Sequence, residues 1–327
     1  MTTSREIHLA KRPEGLPELS DFRLVERDLP SLGEGEVLIK QIYMSVDPAM
    51  RPRLSTDYKL DEALFGGAIG RIEASNNEKF AVGDVVHNQL GFRDFAVSNG
   101  EGLRKVKPEA DIPLSAYMSV MGGTGLTAYQ GIVDVAKVKE GEQVFVSAAA
   151  GAVGSIAAQI AKIKGCYVVG SAGSDDKVAW LKDDLGLDAA FNYKSGPVNK
   201  SLRTLTPKGL DAYFDNVGGD HLDAALSVMN VRGRVAACGM ISGYNEFGAK
   251  TTVHNLANII YGRISILGFV VFDFMHFMPQ FQAEMAQWIR DGKVKHRETI
   301  LHGVEEAPHA MVGLMRGENT GKMLVEL

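Results

Sequence analysis

Residues 144–177 read VFVSAAAGAVGSIAAQIAKIKGCYVVGSAGSDDK. An apolar, β-favouring run (Val144, Phe145, Val146) meets a cluster of small residues from Ala148 to Gly154. A helix-patterned stretch follows, then Gly165 and a second apolar run from Tyr167 to Gly170. This is the order of a βαβ unit in which small residues let backbone amides at a helix N-terminus approach a pyrophosphate. Ala148, Gly151 and Gly154 recur at intervals of three, a variant of the glycine fingerprint with alanine first. Glycine-rich turns alone are weak signals, but one set between two strands and opening a helix points to a bound dinucleotide.

Working outward, the pattern on either side differs. From the start to about Thr127 the chain reads as short strands and turns. Residues 35–45 (GEVLIKQIYMS) alternate apolar and polar, and β-like runs recur at 67–73, 84–86 and 93–97. These predict an irregular, mostly antiparallel barrel. From about Gly122 to Gly292 strands and amphipathic helices alternate instead. Strands are expected at 144–147, 167–171, 189–192, 211–215, 234–238 and 263–271, and helices near 153–164, 175–185 and 221–229. Such alternation builds a doubly wound parallel sheet. The final GKMLVEL reads as a strand returning to the barrel. The expected layout is a barrel domain from residues 1–127 and 293–327, with a Rossmann domain of residues 128–292 inserted.

The chain has 327 residues, 45% hydrophobic and 23% charged, with a net charge of −5, which suits two globular domains. No basic excess exists to neutralise nucleic-acid phosphates. The first residues, MTTSREIHLAKRPEG, lack the apolar core of a signal peptide, and no apolar stretch is long enough to span a bilayer. Cys166 and Cys238 lie in or beside expected buried strands, which suits reduced thiols and a cytoplasmic protein.

The second strand of an NAD-specific Rossmann domain ends in an acid that binds the ribose 2′-hydroxyl. Here it ends Gly170-Ser171-Ala172-Gly173-Ser174, with Lys177 three residues on. A lysine there meets a 2′-phosphate as a point charge, favouring NADP(H) over NAD(H). The same residues also fit a helix cap, with Ser174 as N-cap and Asp175 and Asp176 on the dipole.

Metal and nucleophile chemistry find no foothold. Neither cysteine lies in the barrel half, and none of the eight histidines forms an H-x-H or H-E-x-x-H pair. His87, His254 and His276 are isolated, which suits surface or packing roles, and no G-x-S-x-G elbow occurs. No metal site is expected.

Several segments, in one order, carry a resemblance: MSVDPAMRPRL (44–54), GGTGLTAYQGI (122–132), AAAGAVGS (148–155), GSDDK (173–177), FNYK (191–194), YFDNVGG (213–219), CGMISGYN (238–245), IIYGR and GFVVF (259–272), and GENTGKMLV (317–325). Over essentially its whole length the chain resembles the zinc-free medium-chain reductases of alkenals, leukotrienes and prostaglandins, a group that includes bacterial curcumin reductases. The resemblance implies a GroES-like barrel beside the Rossmann domain.

It also implies roles by position. Gly151, Ala152, Val153 and Gly154 would hold the pyrophosphate, and Lys177 with Tyr193 the 2′-phosphate. Asn216, at the end of the fourth strand, would lie against the ribose. Cys238, Gly239, Met240, Ile241, Ser242, Gly243 and Tyr244 would flank the adenosine-to-nicotinamide bridge. Phe269, Val270 and Val271 would line the nicotinamide pocket, and Asn319 would reach the cofactor from the C-terminal segment. Tyr261 matches the tyrosine beside the substrate carbonyl, where its hydroxyl would donate to an oxyanion. Core packing is an alternative account of Phe269 to Val271 and Tyr193, and an interface or core role of Tyr261.

The implied activity is NADPH-dependent reduction of the C=C bond of small α,β-unsaturated carbonyl compounds by hydride transfer to the β-carbon. The alternatives are a quinone or carbonyl reductase using the same cofactor, and a non-enzymatic nucleotide-binding interaction protein. A homodimer is expected through the apolar 265–272 strand at a sheet edge. One departure stands out: the family usually carries an aromatic after Asp-Pro in 44–54, and this chain has Ala49. The smaller residue implies a differently shaped substrate pocket, with Tyr58 in a neighbouring loop as a candidate to fill part of the space.

Overall fold

A computed structural model of the chain describes residues 2–246 and 252–327. It comprises two compact units. The first is residues 1–118, 298–319 and 323–327; the second is residues 119–297 and 320–322. The first unit ends upstream of the expected change at 127/128. Its boundary precedes the helix Gly123–Gln130, because that helix packs against the helix Ala152–Ile163 of the second unit.

In the first unit, Val37–Ser45 is the organising strand. It pairs antiparallel with Ala68–Ser75, Phe95–Ser98 and Lys322–Glu326, and Ala68–Ser75 continues the sheet to Val85–Asn88 and Arg104–Lys105. A separate ladder joins Thr3–Leu9 to Phe22–Asp28. The alternation read at 37–45 holds over its first half, where Val37, Ile39 and Gln41 are buried and Lys40 is exposed, and a register shift between Gln41 and Tyr43 then brings Met44 to the buried side. Leu9, Leu54, Phe92, Met311 and Val325 close the larger core of this unit.

The second unit is a six-stranded parallel sheet. Its strands are β1 Gln143–Val146, β2 Tyr167–Ala172, β3 Ala189–Asn192, β4 Leu210–Asp215, β5 Met229–Ala237 and β6 Ser265–Gly268. They lie in the order β3-β2-β1-β4-β5-β6, the doubly wound arrangement with its switch point between β1 and β4. The register sets Val146 beside Gly170 on one side and Phe214 on the other. Phe145, Val169, Tyr213 and Val235 share one buried face with Leu202 and Leu226 from the covering helices. The first of the helices used below, α1, is Ala152–Ile163; α2 is Asp175–Ala179, α3 Val198–Leu205 and α4 Gly219–Leu226.

The fold class expected from sequence is the one found. Two details differ. The strand expected over 263–271 stops at Gly268, and Val271–Phe277 forms a 3-10 turn leading into a helix at Met278–Arg290. The apolar run misleads because it is not buried: β6 is an edge strand, and Val270 and Phe272 are 57% and 77% exposed. The strand expected at 234–238 begins earlier, at Met229.

Candidate functional site

At the crest of the sheet, β1 runs out at Val146 and the chain turns through Ser147–Ala150 into α1. Gly151 is the extended N-cap of α1 and offers no side chain to the helix. The first N–H groups of α1, from Ala152 to Gly154, therefore point out of a helix end with no side-chain cap. Gly154 is required by close approach: a Cβ there would sit 2.3 Å from the Ala148 carbonyl oxygen and 2.9 Å from the Ala149 Cα. Ala148 itself adopts φ +47°, the left-handed conformation that a fingerprint glycine takes at little cost. The turn is held by Gly151 N donating to Ala148 O, Ala149 N to Ser171 O, and Gly321 N to Ala150 O. A cradle of bare amides, with no carboxylate in the turn, fits a diphosphate.

Beside it, β2 ends at Ala172 and Ser174 caps α2, its Oγ accepting from Lys177 N at 3.4 Å. The capping account of Ser174 is thus realised, through the backbone N–H of Lys177. Lys177 is half-buried. Burial, and then the charge of Lys194, push its ammonium below the ordinary lysine value. Lys194 was not among the residues expected from sequence; it enters because β3 lies next to β2. Tyr193, 39% exposed, lays its hydroxyl over Gly173, 3.2 Å from where a Cβ would stand. Its ring meets His221 edge-on at 5.2 Å. Two cations and a phenol, beside a strand whose last residues carry no acid and with Asp175 Oδ1 accepting from Asn192 Nδ2 at 2.9 Å, fit a phosphate better than a ribose hydroxyl.

On the other side of the switch point, Asn216 follows β4. Its Nδ2 donates to Ser147 O at 2.8 Å, which leaves its side-chain oxygen to accept. Gly218 and Gly219 take φ of +68° and +49° and start α4. The 238–244 segment closes onto this loop. Cys238 N and Gly239 N both donate to Asp215 O, Ile241 N to Asn216 O, and Ser242 Oγ to Val217 O at 2.6 Å. Gly243 N bonds Met240 O, and the Tyr244 hydroxyl accepts from Met240 N. Burial pushes the Cys238 thiol up to about 12, so it is a thiol and not a nucleophile.

Phe269 packs edge-on to Phe214 at 6.2 Å and reaches within 2.7 Å of where a Gly131 Cβ would lie. Val270 and Val271 leave the expected strand and start the 3-10 turn, Val270 exposed and Val271 half-buried. Tyr261 sits on the short helix Asn258–Gly262 and is 77% exposed, so a core role for it is excluded. Asn319 belongs to the first unit, 8% exposed, in the turn before the last strand. In that unit Ala49 is exposed at the start of the helix Met50–Ser55. Tyr58, the residue expected to fill part of the space at Ala49, lies in the same unit. It is 1% exposed and its hydroxyl donates to Phe65 O at 2.7 Å, so burial keeps it in the core.

Among the described residues no group of three or more His, Cys, Asp or Glu is placed to hold a metal ion. No helix among them is long and apolar enough to cross a membrane.

With this geometry in hand, comparison with known proteins is direct. Residues 5–106 match a family described as the N-terminal domain of oxidoreductase, and residues 152–290 one described as zinc-binding dehydrogenase. Among the described residues no group of three or more such donors is placed for the zinc that the second description names. Prostaglandin reductase 1 of Bos taurus is 42% identical over 330 residues, covering all of both chains. The NADP(+)-dependent 2-alkenal reductase of Nicotiana tabacum is 40% identical over 336 residues, 99% of this chain and 97% of the relative. The crystal structure of CurA from Vibrio vulnificus in complex with NADPH superposes with a TM-score of 0.93 at 39% identity, covering 98% of each chain.

Proposed function

We propose that this chain, which belongs to the alkenal and prostaglandin reductase-like family of the medium-chain dehydrogenase/reductase superfamily, uses NADPH to reduce the C=C bond of α,β-unsaturated aldehydes and ketones. The observation that carries this reading is the full-length likeness to reductases named for alkenals and prostaglandins, on a sheet crest where Lys177 of α2 and Lys194 after β3 lie near each other beyond the end of β2.

The residues present fit the cofactor. Backbone amides of Ala152, Val153 and Gly154 bind the pyrophosphate at a helix N-terminus. Lys177 and Tyr193, with Lys194 beside them, hold the 2′-phosphate. The free side-chain oxygen of Asn216 accepts from a ribose hydroxyl, residues 238–244 flank the bridge, and Phe269 to Val271 line the nicotinamide face. NADPH, when bound, supplies the hydride that adds to the substrate β-carbon. Tyr261, with its hydroxyl in solvent, donates to the carbonyl oxygen as negative charge gathers there, and water protonates the α-carbon. The substrate gains one hydride and one proton, and the carbonyl is regenerated.

The protein acts as a homodimer in the cytoplasm. Edge strand β6 and its neighbours expose the apolar side chains of Leu256, Ile260, Leu267 and Phe272, which supports an interface there. The experiment for the activity is an acceptor panel of an enone, a quinone and a saturated aldehyde, with NADPH and NADH side by side. Turnover of the enone with NADPH is expected. Preference for the quinone or the aldehyde, or binding without turnover, refutes it.

A further inference from the structure

Asp215 ends β4 with no exposed surface, yet four donors reach its carboxylate. One oxygen, Oδ1, accepts from the Tyr213 hydroxyl at 2.6 Å, from Val217 N at 2.9 Å and from Gly218 N at 2.8 Å, with the Ser147 hydroxyl at 3.4 Å. The other, Oδ2, is buried with no partner among the described residues. Burial raises its pKa despite these donors, and burial raises that of Tyr213 as well.

A buried carboxyl with one oxygen unsatisfied costs stability, and the sheet does not need it. The β1–β4 ladder is already made by Val144–Val146 against Ala212–Phe214. The backbone donors to Asp215 lie past the strand end, at 217 and 218, in the loop that opens α4. Of the two hydroxyl donors, Tyr213 lies on β4 itself and Ser147 begins the turn after β1. Ser147 in turn accepts from Asn216 N at 3.0 Å through its hydroxyl, and from Asn216 Nδ2 at 2.8 Å through its carbonyl. The backbone oxygen of Asp215 receives Cys238 N and Gly239 N. One residue therefore ties together the three crest segments that surround the fingerprint turn.

We infer that Asp215 is a positioning residue for NADPH: through Ser147 and the 217–218 amides it fixes Asn216 and the turn after β1 in their cofactor-binding geometry. The inference rests on the NADPH reading above. It acts on binding and leaves the hydride step alone, because none of its partners is Tyr261 or the 269–271 segment.

The test compares wild type, Asp215→Ala, Asp215→Asn and Ser147→Ala by calorimetric titration with NADPH and by kcat at saturating NADPH. Asp215→Ala is expected to raise the NADPH Kd about 10- to 100-fold, the scale of a misplacement near 1 Å, with kcat at saturation close to wild type. Asparagine keeps an acceptor at Oδ1 and is expected to restore most of the affinity, which a need for bulk alone would not distinguish from leucine; Asp215→Leu is therefore expected to stay weak. Where the alanine variant fails to fold, Ser147→Ala carries the test with a severalfold rise in Kd. Folded Asp215→Ala or Ser147→Ala protein that binds NADPH like wild type overturns the inference, as does a loss confined to kcat. Wild type that does not bind NADPH overturns the functional reading along with it.

Discussion

Gly154 offers a contrast in which two simple rules give opposite signs. It lies in the first turn of α1, where helix propensity alone predicts that alanine stabilises by about 1 kcal/mol. The structure reverses this. An added Cβ would meet the Ala148 carbonyl oxygen at 2.3 Å, the Ala148 carbonyl carbon at 2.9 Å and the Ala149 Cα at 2.9 Å, all backbone atoms that cannot swing away. Relieving the contact needs α1 to retreat from the turn by roughly 1 Å, and overpacking of this kind costs about 1–3 kcal/mol. For a chain of this size that corresponds to a fall in Tm of about 2–10 °C. The same retreat shifts the amides of residues 152–154, so the NADPH Kd is expected to rise about 10- to 100-fold. Gly151→Ala is the control: its Cβ meets only Ala148 O, at 3.2 Å, and its φ of −83° suits any residue. That variant loses only the N-cap preference, about 1 kcal/mol or less. The assay is thermal unfolding of both variants without cofactor, followed by titration with NADPH. A Gly154→Ala protein with an unchanged or higher Tm refutes the close-approach argument.

Other expectations follow from the same site. Lys177→Ala is expected to lower kcat/KM for NADPH at least tenfold while sparing NADH, since one charge-assisted phosphate contact is worth about 1.5–3 kcal/mol; an unchanged ratio of the two cofactors contradicts the 2′-phosphate assignment. Tyr261→Phe is expected to reduce turnover of an enone such as 3-nonen-2-one by up to about 100-fold, less if the pocket is wet, and full activity removes Tyr261 from the chemistry. His221, 5% exposed, is held neutral by burial, which lowers its pKa from 6.5 to about 4. Between these values the unfolded chain takes up a proton that the folded protein refuses, so stability falls as pH drops below 6.5, by about 2 kcal/mol at pH 5. His221→Phe should flatten that loss in thermal melts across pH 4–7, and an identical pH profile would rule the histidine out. Phe272→Asp, at 77% exposure, is expected to turn the dimer into a monomer in light scattering; a monomeric wild type ends the dimer proposal.

Much of the second unit was legible because its signals are local. The turn Ala148–Gly154 and the alternation of strands and helices depend on near neighbours, and they specify a doubly wound sheet without knowledge of packing. Burial was harder to read. The apolar run at 265–272 is expected at a sheet edge and β6 is an edge strand, but with these residues in solvent the apolar pattern does not mark that the strand stops at Gly268. The helix Met278–Arg290 went unread although Phe281, Met285 and Trp288 carry the helical spacing and are all buried. Residues joined only by tertiary contact stayed hidden. Lys194 reaches Lys177 through the β2–β3 adjacency, and Asp215 reaches Ser147 across 68 positions of sequence. Proximity in sequence to Ala49 likewise says nothing about how deeply the Tyr58 ring is buried.

The claim at the centre of this account is hydride delivery to the β-carbon of an enone. Incubating the protein with an enone and NADPH deuterated at C4 of the nicotinamide, on the face that transfers, and locating the label by NMR tests it directly. Deuterium on the β-carbon of a saturated ketone is the predicted result. Deuterium on the carbonyl carbon of an allylic alcohol, or recovery of unchanged enone, contradicts it.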